Sequence, residues 1–254
     1  MKYARFKYEG RIRRGIVKGD LIYPTKGRHY HACGAGVRGI PLEKVKMAAP
    51  VKPSKIVAVG LNYTDHAEEL NMKLPEEPVI FLKPPSSVIG PGEDIVCPSS
   101  AKRIDYEAEL AIVIKKKTRN VPEESAEEHI LGYTCLNDVT ARDLQKSDGQ
   151  WTRAKSFDTF CPLGPWIETE MDTDNAGIFS YVNGKLKQSS SVSKMVFKPA
   201  YLVSFISAVM TLEREDVIAT GTPAGIGAVK AGDKVEILIE GIGTLVNNVI
   251  PKKE

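Results

Sequence analysis

Alternating apolar and polar positions predict a chain built mostly of strands. Residues 2–24 alternate in three short segments and predict a small β-meander. Further strands are predicted at residues 55–60, 79–82, 133–136, 235–239 and 244–249. Asn183-Gly184 predicts a type I′ turn between two more strands, because both residues tolerate positive φ angles.

Helical patterns are confined to three short segments, at residues 63–70, 122–131 and 199–212. Pro122 suits the first turn of its helix, and Gly132 marks the predicted end. A loop rich in Gly, Ala and Pro over residues 33–53 separates the meander from the rest. We therefore predict a mixed, β-rich α+β fold, with a small N-terminal β-rich domain and linker over residues 1–52 and a main domain over residues 53–254.

Two glutamates lie one residue apart on a strand predicted over residues 105–114. Side chains alternate between the two faces of a strand, so Glu107 and Glu109 share a face with Ala111 and Val113. Their Cα atoms would be about 6.5–7 Å apart on a face that is otherwise apolar. Two like charges there repel each other and lose hydration, a cost usually met by a proton or a cation.

Asp138 follows the next predicted strand and could supply a third carboxylate. Three carboxylates without histidine or thiol form the ligand set of Mg²⁺, Mn²⁺ or Ca²⁺ rather than of zinc. The alternative is that Glu107 and Glu109 face water as an ordinary polar stripe. The apolar continuation of the same face through Ala111 and Val113 favours the metal site.

His66 and Glu69 are three residues apart on the helix predicted over residues 63–70, and therefore share one face. A carboxylate on one imidazole nitrogen fixes the tautomer and makes the other nitrogen a base. On spacing alone, a surface ion pair that contributes little to stability is the simpler interpretation. The position directly after a buried strand, where active-site loops commonly lie, supports the catalytic interpretation.

Composition excludes several classes of protein. The 35 basic and 32 acidic residues give a net charge of +3, which argues against nucleic-acid binding. Four widely spaced cysteines suggest neither a zinc knuckle nor a disulfide framework. The charged N-terminus has no apolar signal segment, and residues 199–212 are too few to span a bilayer. These features predict a soluble cytoplasmic protein that contacts neither nucleic acid nor membrane.

Six short segments together resemble the fumarylacetoacetate hydrolase family. In chain order they are NYTDH (62–66), FLKP (81–84), DYEAEL (105–110), NDVTARD (137–143), AKSFD (154–158) and TGTPAG (220–225). Any one segment is weak evidence, but six in the family's order, across about residues 53–250, make chance a poor explanation.

The resemblance implies the family's rolled mixed β-sheet, usually in a homodimer. It also implies that Glu107, Glu109 and Asp138 bind Mg²⁺ or Mn²⁺, the set that spacing suggests independently. By the same resemblance, His66 and Glu69 form a catalytic dyad on a segment that is often mobile until substrate binds. The remaining matches are Lys155 as a catalytic residue and, as substrate-binding residues, Arg142, Gln145, Thr222 and Lys83.

The function implied by the resemblance is a metal-dependent hydrolase or lyase of small anionic 2-oxo acids. Water would cleave a 3-acylpyruvate, or oxaloacetate would lose CO₂, through an enolate that the metal stabilises. The alternative within the family is an isomerase or hydratase of 2-hydroxy-diene-dioates in aromatic catabolism, although such isomerases often lack the dyad. A non-catalytic small-molecule-binding protein and a dimeric scaffold are the alternatives from other classes. The chain lacks the large N-terminal domain of the eukaryotic hydrolase and the two-repeat arrangement of the bifunctional isomerase/decarboxylases, which leaves the substrate open.

Overall fold

Strands dominate the computed structural model, which describes residues 1–25 and 37–252. The strands are β1 (Lys2–Tyr8), β2 (Arg11–Lys18), β3 (Leu21–Pro24), β4 (Ile40–Pro41), β5 (Lys46–Ala48), β6 (Ile56–Gly60), β7 (Val79–Lys83), β8 (Val88–Ile89), β9 (Ile95–Cys97), β10 (Ile104–Tyr106), β11 (Ala108–Ile114), β12 (Ile130–Asn137), β13 (Thr140–Ala141), β14 (Cys161–Glu168), β15 (Gly177–Val182), β16 (Lys185–Ser191), β17 (Val217–Ala219), β18 (Gly227–Val229), β19 (Lys234–Ile239) and β20 (Gly243–Pro251). The α-helices are α1 (Thr64–Glu69), α2 (Arg142–Asp148), α3 (Thr152–Lys155) and α4 (Pro199–Val209).

The strands form three sheets. The largest, of twelve strands, has the order β4-β3-β2-β1-β14-β12-β11-β17-β6-β7, with β5 paired to β1 and β8 paired to β14. A five-stranded sheet has the order β16-β15-β19-β20-β9, and a three-stranded sheet has the order β13-β10-β18. Strand β17 runs parallel to β6 but antiparallel to β11, so the large sheet is mixed. The predicted β-rich α+β fold class is confirmed.

The predicted N-terminal meander is confirmed as β1, β2 and β3. It is continuous with the rest of the molecule, because β1 also pairs antiparallel with β14. The predicted loop over residues 33–53 lies partly outside the described residues, and its described part includes the short strands β4 and β5. The division of the chain at residue 52 stays a prediction.

Strand β11 lies at the centre of the large sheet and is buried on both faces. Ala108 and Leu110 pack towards the five-stranded sheet, whereas Ala111 and Val113 belong to the core on the opposite face. The alternation read from the sequence therefore places the side chains of this strand correctly. Its predicted length was wrong, because residues 105–114 form two strands, β10 and β11, interrupted at Glu107.

The α-helix predicted over residues 122–131 is wrong. The chain forms a 3₁₀ helix at Glu123–His129 and then enters β12 at Ile130. Gly132 is therefore not a helix stop. A Cβ at this position would lie 2.3 Å from the carbonyl oxygen of Glu168, so the glycine permits the close approach of β12 and β14.

The turn predicted at Asn183-Gly184 is confirmed. Asn183 and Gly184 have φ angles of 52° and 74° and join β15 to β16, as a type I′ turn requires. Cys97, Cys135 and Cys161 are free thiols, and Cys33 lies outside the described residues. In the described part of the chain, no helix is long and apolar enough to cross a membrane. A cytoplasmic location stays a prediction.

Candidate metal centre and active site

Three buried carboxylates converge where β11 and β12 run side by side. Glu107 occupies the break between β10 and β11, Glu109 lies on β11, and Asp138 directly follows β12. The antiparallel pairing places Ala108 opposite Asn137, which brings Asp138 next to both glutamates. One oxygen of each carboxylate lies within 4.8 Å of the others. Although the strand is interrupted at Glu107, the carboxylates of Glu107 and Glu109 still lie close together.

Two buried lysines hold two of these carboxylates. The Nζ of Lys155, at the end of α3, donates to Glu107 Oε2 at 2.8 Å and to Asp138 Oδ2 at 2.6 Å. Lys83, at the end of β7, donates to the other oxygen of Asp138 and to the carbonyl oxygen of Val139. Both ammonium groups are almost fully buried. In each ion pair the two buried charges compensate each other, so removal of either partner would leave an unpaired charge in the interior.

Arg142 joins the cluster from the first turn of α2. Its guanidinium donates to Glu107 Oε1, to Asp105 Oδ2 at 2.9 Å and to Gln145 Oε1 at 2.5 Å. Arg103 donates to both oxygens of Asp105 from the opposite side. Arg142 thus donates to three different acceptors, which fixes the orientation of its guanidinium group relative to Glu107.

Glu107 and Glu109 differ in electrostatic environment. Burial alone would raise the pKa of Glu107, but the positive charges of Lys155 and Arg142 lower it to about 2. The pKa of Glu109 is raised well above its ordinary value by burial and by the negative charges of Asp138 and Glu107. Among the described residues Glu109 has no ion-pair partner, and its Oε2 accepts only from Gly221 N at 2.9 Å.

This donor set fits a hard divalent cation. Glu107, Glu109 and Asp138 offer oxygen ligands only, all buried and directed at one region. The charge on Glu109 is the one that the neighbouring lysines and arginine leave uncompensated. A cation bound there would offset the repulsion that otherwise raises the pKa of this group.

The carboxylates form the floor of a cavity of about 280 Å³. Its polar lining comprises His66, Glu107, Glu109, Asp138, Arg142, Gln145, Lys146, Lys155 and Thr222. Its remaining walls are mainly apolar, from Val59, Gly60, Leu61, Leu70, Met72, Phe81 and Trp151. A small molecule with one strongly polar end fits this division of the surface.

His66 and Glu69 form a hydrogen-bonded pair on α1. The distance from His66 Nδ1 to Glu69 Oε2 is 2.8 Å, and His66 is buried and lines the cavity. Glu69 Oε1 also accepts from Gly225 N at 3.0 Å, which ties the helix to the loop that carries Thr222. The contact that spacing predicts is therefore formed, and it faces the same cavity as the carboxylates. Its catalytic role stays a prediction.

The structure brings together most of the predicted site residues. Eight line the cavity directly: His66, Glu107, Glu109, Asp138, Arg142, Gln145, Lys155 and Thr222. Glu69 and Lys83 do not line it. Glu69 reaches it through His66, and Lys83 through Asp138. The role of Lys83 in substrate binding stays a prediction, and in this arrangement its ammonium group donates to Asp138.

Sequence reasoning did not single out the aromatic wall of the cavity. Phe81 and Trp151 pack edge to face with ring centroids 5.2 Å apart, and the Nζ of Lys155 lies 5.2 Å from the Phe81 centroid. A Cβ at Gly60 would lie 2.7 Å from the Trp151 ring, so the glycine makes room for the indole. These residues come from separate elements, and no local pattern marks them as neighbours. The buried Gln188 of β16 likewise lies in no sequence pattern that would indicate a role in the site.

Comparison with known proteins identifies the family. The fumarylacetoacetate (FAA) hydrolase C-terminal domain matches residues 55–250, and an Rv2993c-like N-terminal domain matches residues 1–50. The chain belongs to the fumarylacetoacetate hydrolase family. The resemblance recognised from six short segments is confirmed, as is the fold that it implied.

Relatives within the family are similar over most of the chain. An uncharacterized protein of Archaeoglobus fulgidus is 60% identical over 211 residues, 83% of this chain and 84% of its own length. A mitochondrial oxaloacetate tautomerase of Xenopus laevis is 44% identical over 219 residues, 81% of this chain and 69% of its own length.

Solved structures of family members superpose closely. The 2-hydroxyhepta-2,4-diene-1,7-dioate isomerase of Mycobacterium marinum has a TM-score of 0.92 at 42% identity and covers 100% of both chains. The maleylpyruvate hydrolase of Sphingobium sp. SYK-6, in complex with manganese (II) and pyruvate, has a TM-score of 0.85 at 32% identity and also covers 100% of both chains. Members of this enzyme family thus include a tautomerase, an isomerase and a hydrolase, one of which binds manganese.

Replacing Glu109 by Gln should abolish high-affinity Mn²⁺ binding, because the amide removes the carboxylate charge that no protein cation offsets. Isothermal titration with Mn²⁺ measures the effect, and thermal unfolding checks that the fold is retained. The matched control is Glu124→Gln, which changes an exposed glutamate outside the cavity. Unchanged Mn²⁺ affinity in Glu109→Gln would contradict the assignment of the metal centre.

Proposed function

We propose that this protein is a divalent-metal-dependent enzyme that cleaves a C–C bond in small 2-oxo acids. The observation that carries the proposal is the placement of an all-carboxylate cation site and a His66–Glu69 pair on the same small cavity. The reaction is hydrolysis of a 3-acylpyruvate to pyruvate and a carboxylic acid, or decarboxylation of oxaloacetate to pyruvate and CO₂. Both reactions leave negative charge at C3 of a pyruvate fragment.

The metal centre and the bound cations have separate tasks. A Mg²⁺ or Mn²⁺ ion held by Glu107, Glu109 and Asp138 would supply a Lewis acid for the developing enolate charge. Lys155 and Arg142 bring positive charge to the same wall and, with Lys83, pair with Glu107 and Asp138, which leaves Glu109 to the ion. With the ion bound, the positive charges at this wall would exceed the negative ones, so an anionic 2-oxo acid would be attracted rather than repelled.

The His66–Glu69 pair supplies the base. Glu69 accepts from Nδ1, which leaves the Nε2 lone pair free, since no group in the described chain forms a hydrogen bond with it. In hydrolysis, Nε2 takes a proton from the water that attacks the distal carbonyl carbon. The C–C bond then breaks, and the proton returns from imidazolium to C3 of the pyruvate fragment, so that the net change is the addition of one water.

A cation at the cavity favours substrates with a second carboxylate. Lys146 lines the cavity one turn beyond Arg142 on α2, and it forms no ion pair with the described residues. The other cations of the site are already held by Glu107, Asp138 or Asp105. Lys146 is thus available for a distal carboxylate, which supports oxaloacetate over an acylpyruvate whose distal acyl group is uncharged.

The second candidate is the interconversion of isomers, without cleavage of the carbon chain. The relatives that favour it are the oxaloacetate tautomerase at 44% identity and the dioate isomerase at 42%, against 32% for the maleylpyruvate hydrolase. The same base at Nε2 and the same cation site could move a proton at C3 of a 2-oxo diacid. Product analysis separates this candidate from cleavage, because only cleavage releases pyruvate.

We also propose that the enzyme is a homodimer. Family resemblance supports this state, as does the edge position of β7 in the large sheet. Val79 and Leu82 on this strand are each about half exposed, and a second subunit paired along this edge would remove their apolar surface from water.

Purified protein with Mn²⁺ or Mg²⁺ should release pyruvate from oxaloacetate or acetylpyruvate, and removal of the ion with EDTA should abolish this activity. A pyruvate-coupled assay measures cleavage, while absorbance follows tautomerisation and the isomerisation of a diene-dioate in parallel. Isomerisation or tautomerisation without pyruvate release would replace cleavage by the second candidate. Equal activity with and without EDTA would contradict metal dependence.

His66→Ala and Glu69→Ala should each lower kcat for the hydrolysis of acetylpyruvate about 10²–10⁴-fold with little change in KM, because a general base acts mainly in the transition state. Steady-state kinetics at saturating Mn²⁺ measures the effect. Glu68→Ala, an exposed neighbour on α1, and His129→Ala, which is bonded to Thr118, are matched controls. A loss below tenfold in both dyad variants would reduce the pair to a structural contact.

Lys146→Met should lower kcat/KM for oxaloacetate about tenfold more than for acetylpyruvate, because only oxaloacetate presents a distal carboxylate to the ammonium group. The selectivity ratio cancels general effects on folding and metal content. Lys185→Met, which changes an exposed lysine on β16, serves as the control. An unchanged ratio would show that Lys146 does not select the second carboxylate.

A further inference from the structure

Gln188 is a fully buried amide on β16 that lies behind the active site. Its Oε1 accepts from Ala108 N at 3.0 Å, the backbone group between Glu107 and Glu109. Its Nε2 donates to Thr222 Oγ1 at 2.8 Å and to the carbonyl oxygen of Pro223 at 2.8 Å. One side chain thus connects the carboxylate strand to the loop that closes the other side of the cavity.

The orientation of this amide is fixed by its neighbours. Ala108 N is a donor and the Pro223 carbonyl oxygen is an acceptor, so each can pair with only one end of Gln188. The reversed amide would set two donors against each other at Ala108 and two acceptors against each other at Pro223. In the low-dielectric interior that reversal would leave several buried polar groups unpaired.

A fixed amide also fixes the hydroxyl of Thr222. Because Nε2 can only donate, Thr222 Oγ1 must act as the acceptor in this bond, and its own hydrogen points elsewhere. Thr222 lines the cavity, and within the described residues its hydroxyl donates to no protein group. The hydroxyl hydrogen is therefore available to an oxygen of a molecule in the cavity.

We infer that Gln188 is a positioning residue, which presets the Thr222 hydroxyl as a donor to an anionic oxygen of the substrate. The inference rests on the proposed function, since it requires a 2-oxo acid in this cavity. Gln188 itself touches no substrate, because it does not line the cavity. Its contribution is that the donor is oriented before the reaction, so no reorganisation is needed in the transition state.

A double-mutant cycle between Gln188 and Thr222 tests the inference. Gln188→Met and Thr222→Val should each lower kcat about 10²-fold, at the lower end of the range for one lost donor to an oxyanion. In the Thr222→Val background, Gln188→Met should have almost no further effect on kcat. Thr222→Ser, which keeps the hydroxyl, should stay within about threefold of wild type, a difference too small to represent a lost donor.

The controls separate positioning from general structure. Mn²⁺ affinity should be unchanged in Gln188→Met, and Gln150→Met, an exposed glutamine outside the cavity, should resemble wild type. Equal losses from Gln188→Met in both Thr222 backgrounds would overturn the inference. So would failure of both Gln188→Met and Gln188→Leu to fold, because Gln188 would then serve the fold alone.

The substrate is whichever 2-oxo acid the wild-type enzyme transforms. A wild type that transforms none of them overturns the proposed function, and with it the inference that rests on it. An active wild type with additive effects in the cycle overturns the inference alone.

Discussion

The repulsion among three buried carboxylates is the constraint on which the rest of the site depends. Glu107, Glu109 and Asp138 converge in the interior, where isolated charges are strongly destabilised. Lys83, Lys155 and Arg142 are buried against Glu107 and Asp138, but none of them pairs with Glu109. The cluster is therefore stable only when a proton or an added cation meets the charge of Glu109, which links metal affinity to the electrostatics of the whole cavity.

The fold supplies this convergence through strand pairing rather than through loops alone. Strand β11 is held between β12 and β17, so the positions of Glu109 and Asp138 follow from the register of three central strands. The side chains that face them across the cavity, His66 and Thr222, come from more peripheral elements, the short helix α1 and the loop after β17. Glu69 connects α1 to the loop after β17, and Gln188 connects that loop to β11. These bonds fix the positions of the two walls of the cavity relative to each other.

The parts of this arrangement that could be predicted from the sequence are those set by residues close together along the chain. Period-two alternation correctly placed Glu107 and Glu109 on one face, and three-residue spacing correctly paired His66 with Glu69. The prediction of a helix that ends at Gly132 was wrong, because the glycine is required there by the close approach of the backbone carbonyl of Glu168, 36 residues away. The bond of Lys83 to Asp138, the bonds of Gln188 and the contact of Phe81 with Trp151 are similar long-range features, which no local pattern encodes.

The most direct test of the central claim is anomalous X-ray diffraction from crystals of the wild-type protein soaked in Mn²⁺. The account predicts one strong anomalous peak within coordination distance of carboxylate oxygens from Glu107, Glu109 and Asp138, which disappears in crystals of Glu109→Gln. Absence of a peak at the carboxylates in the wild type, or an undiminished peak there in the variant, would contradict it.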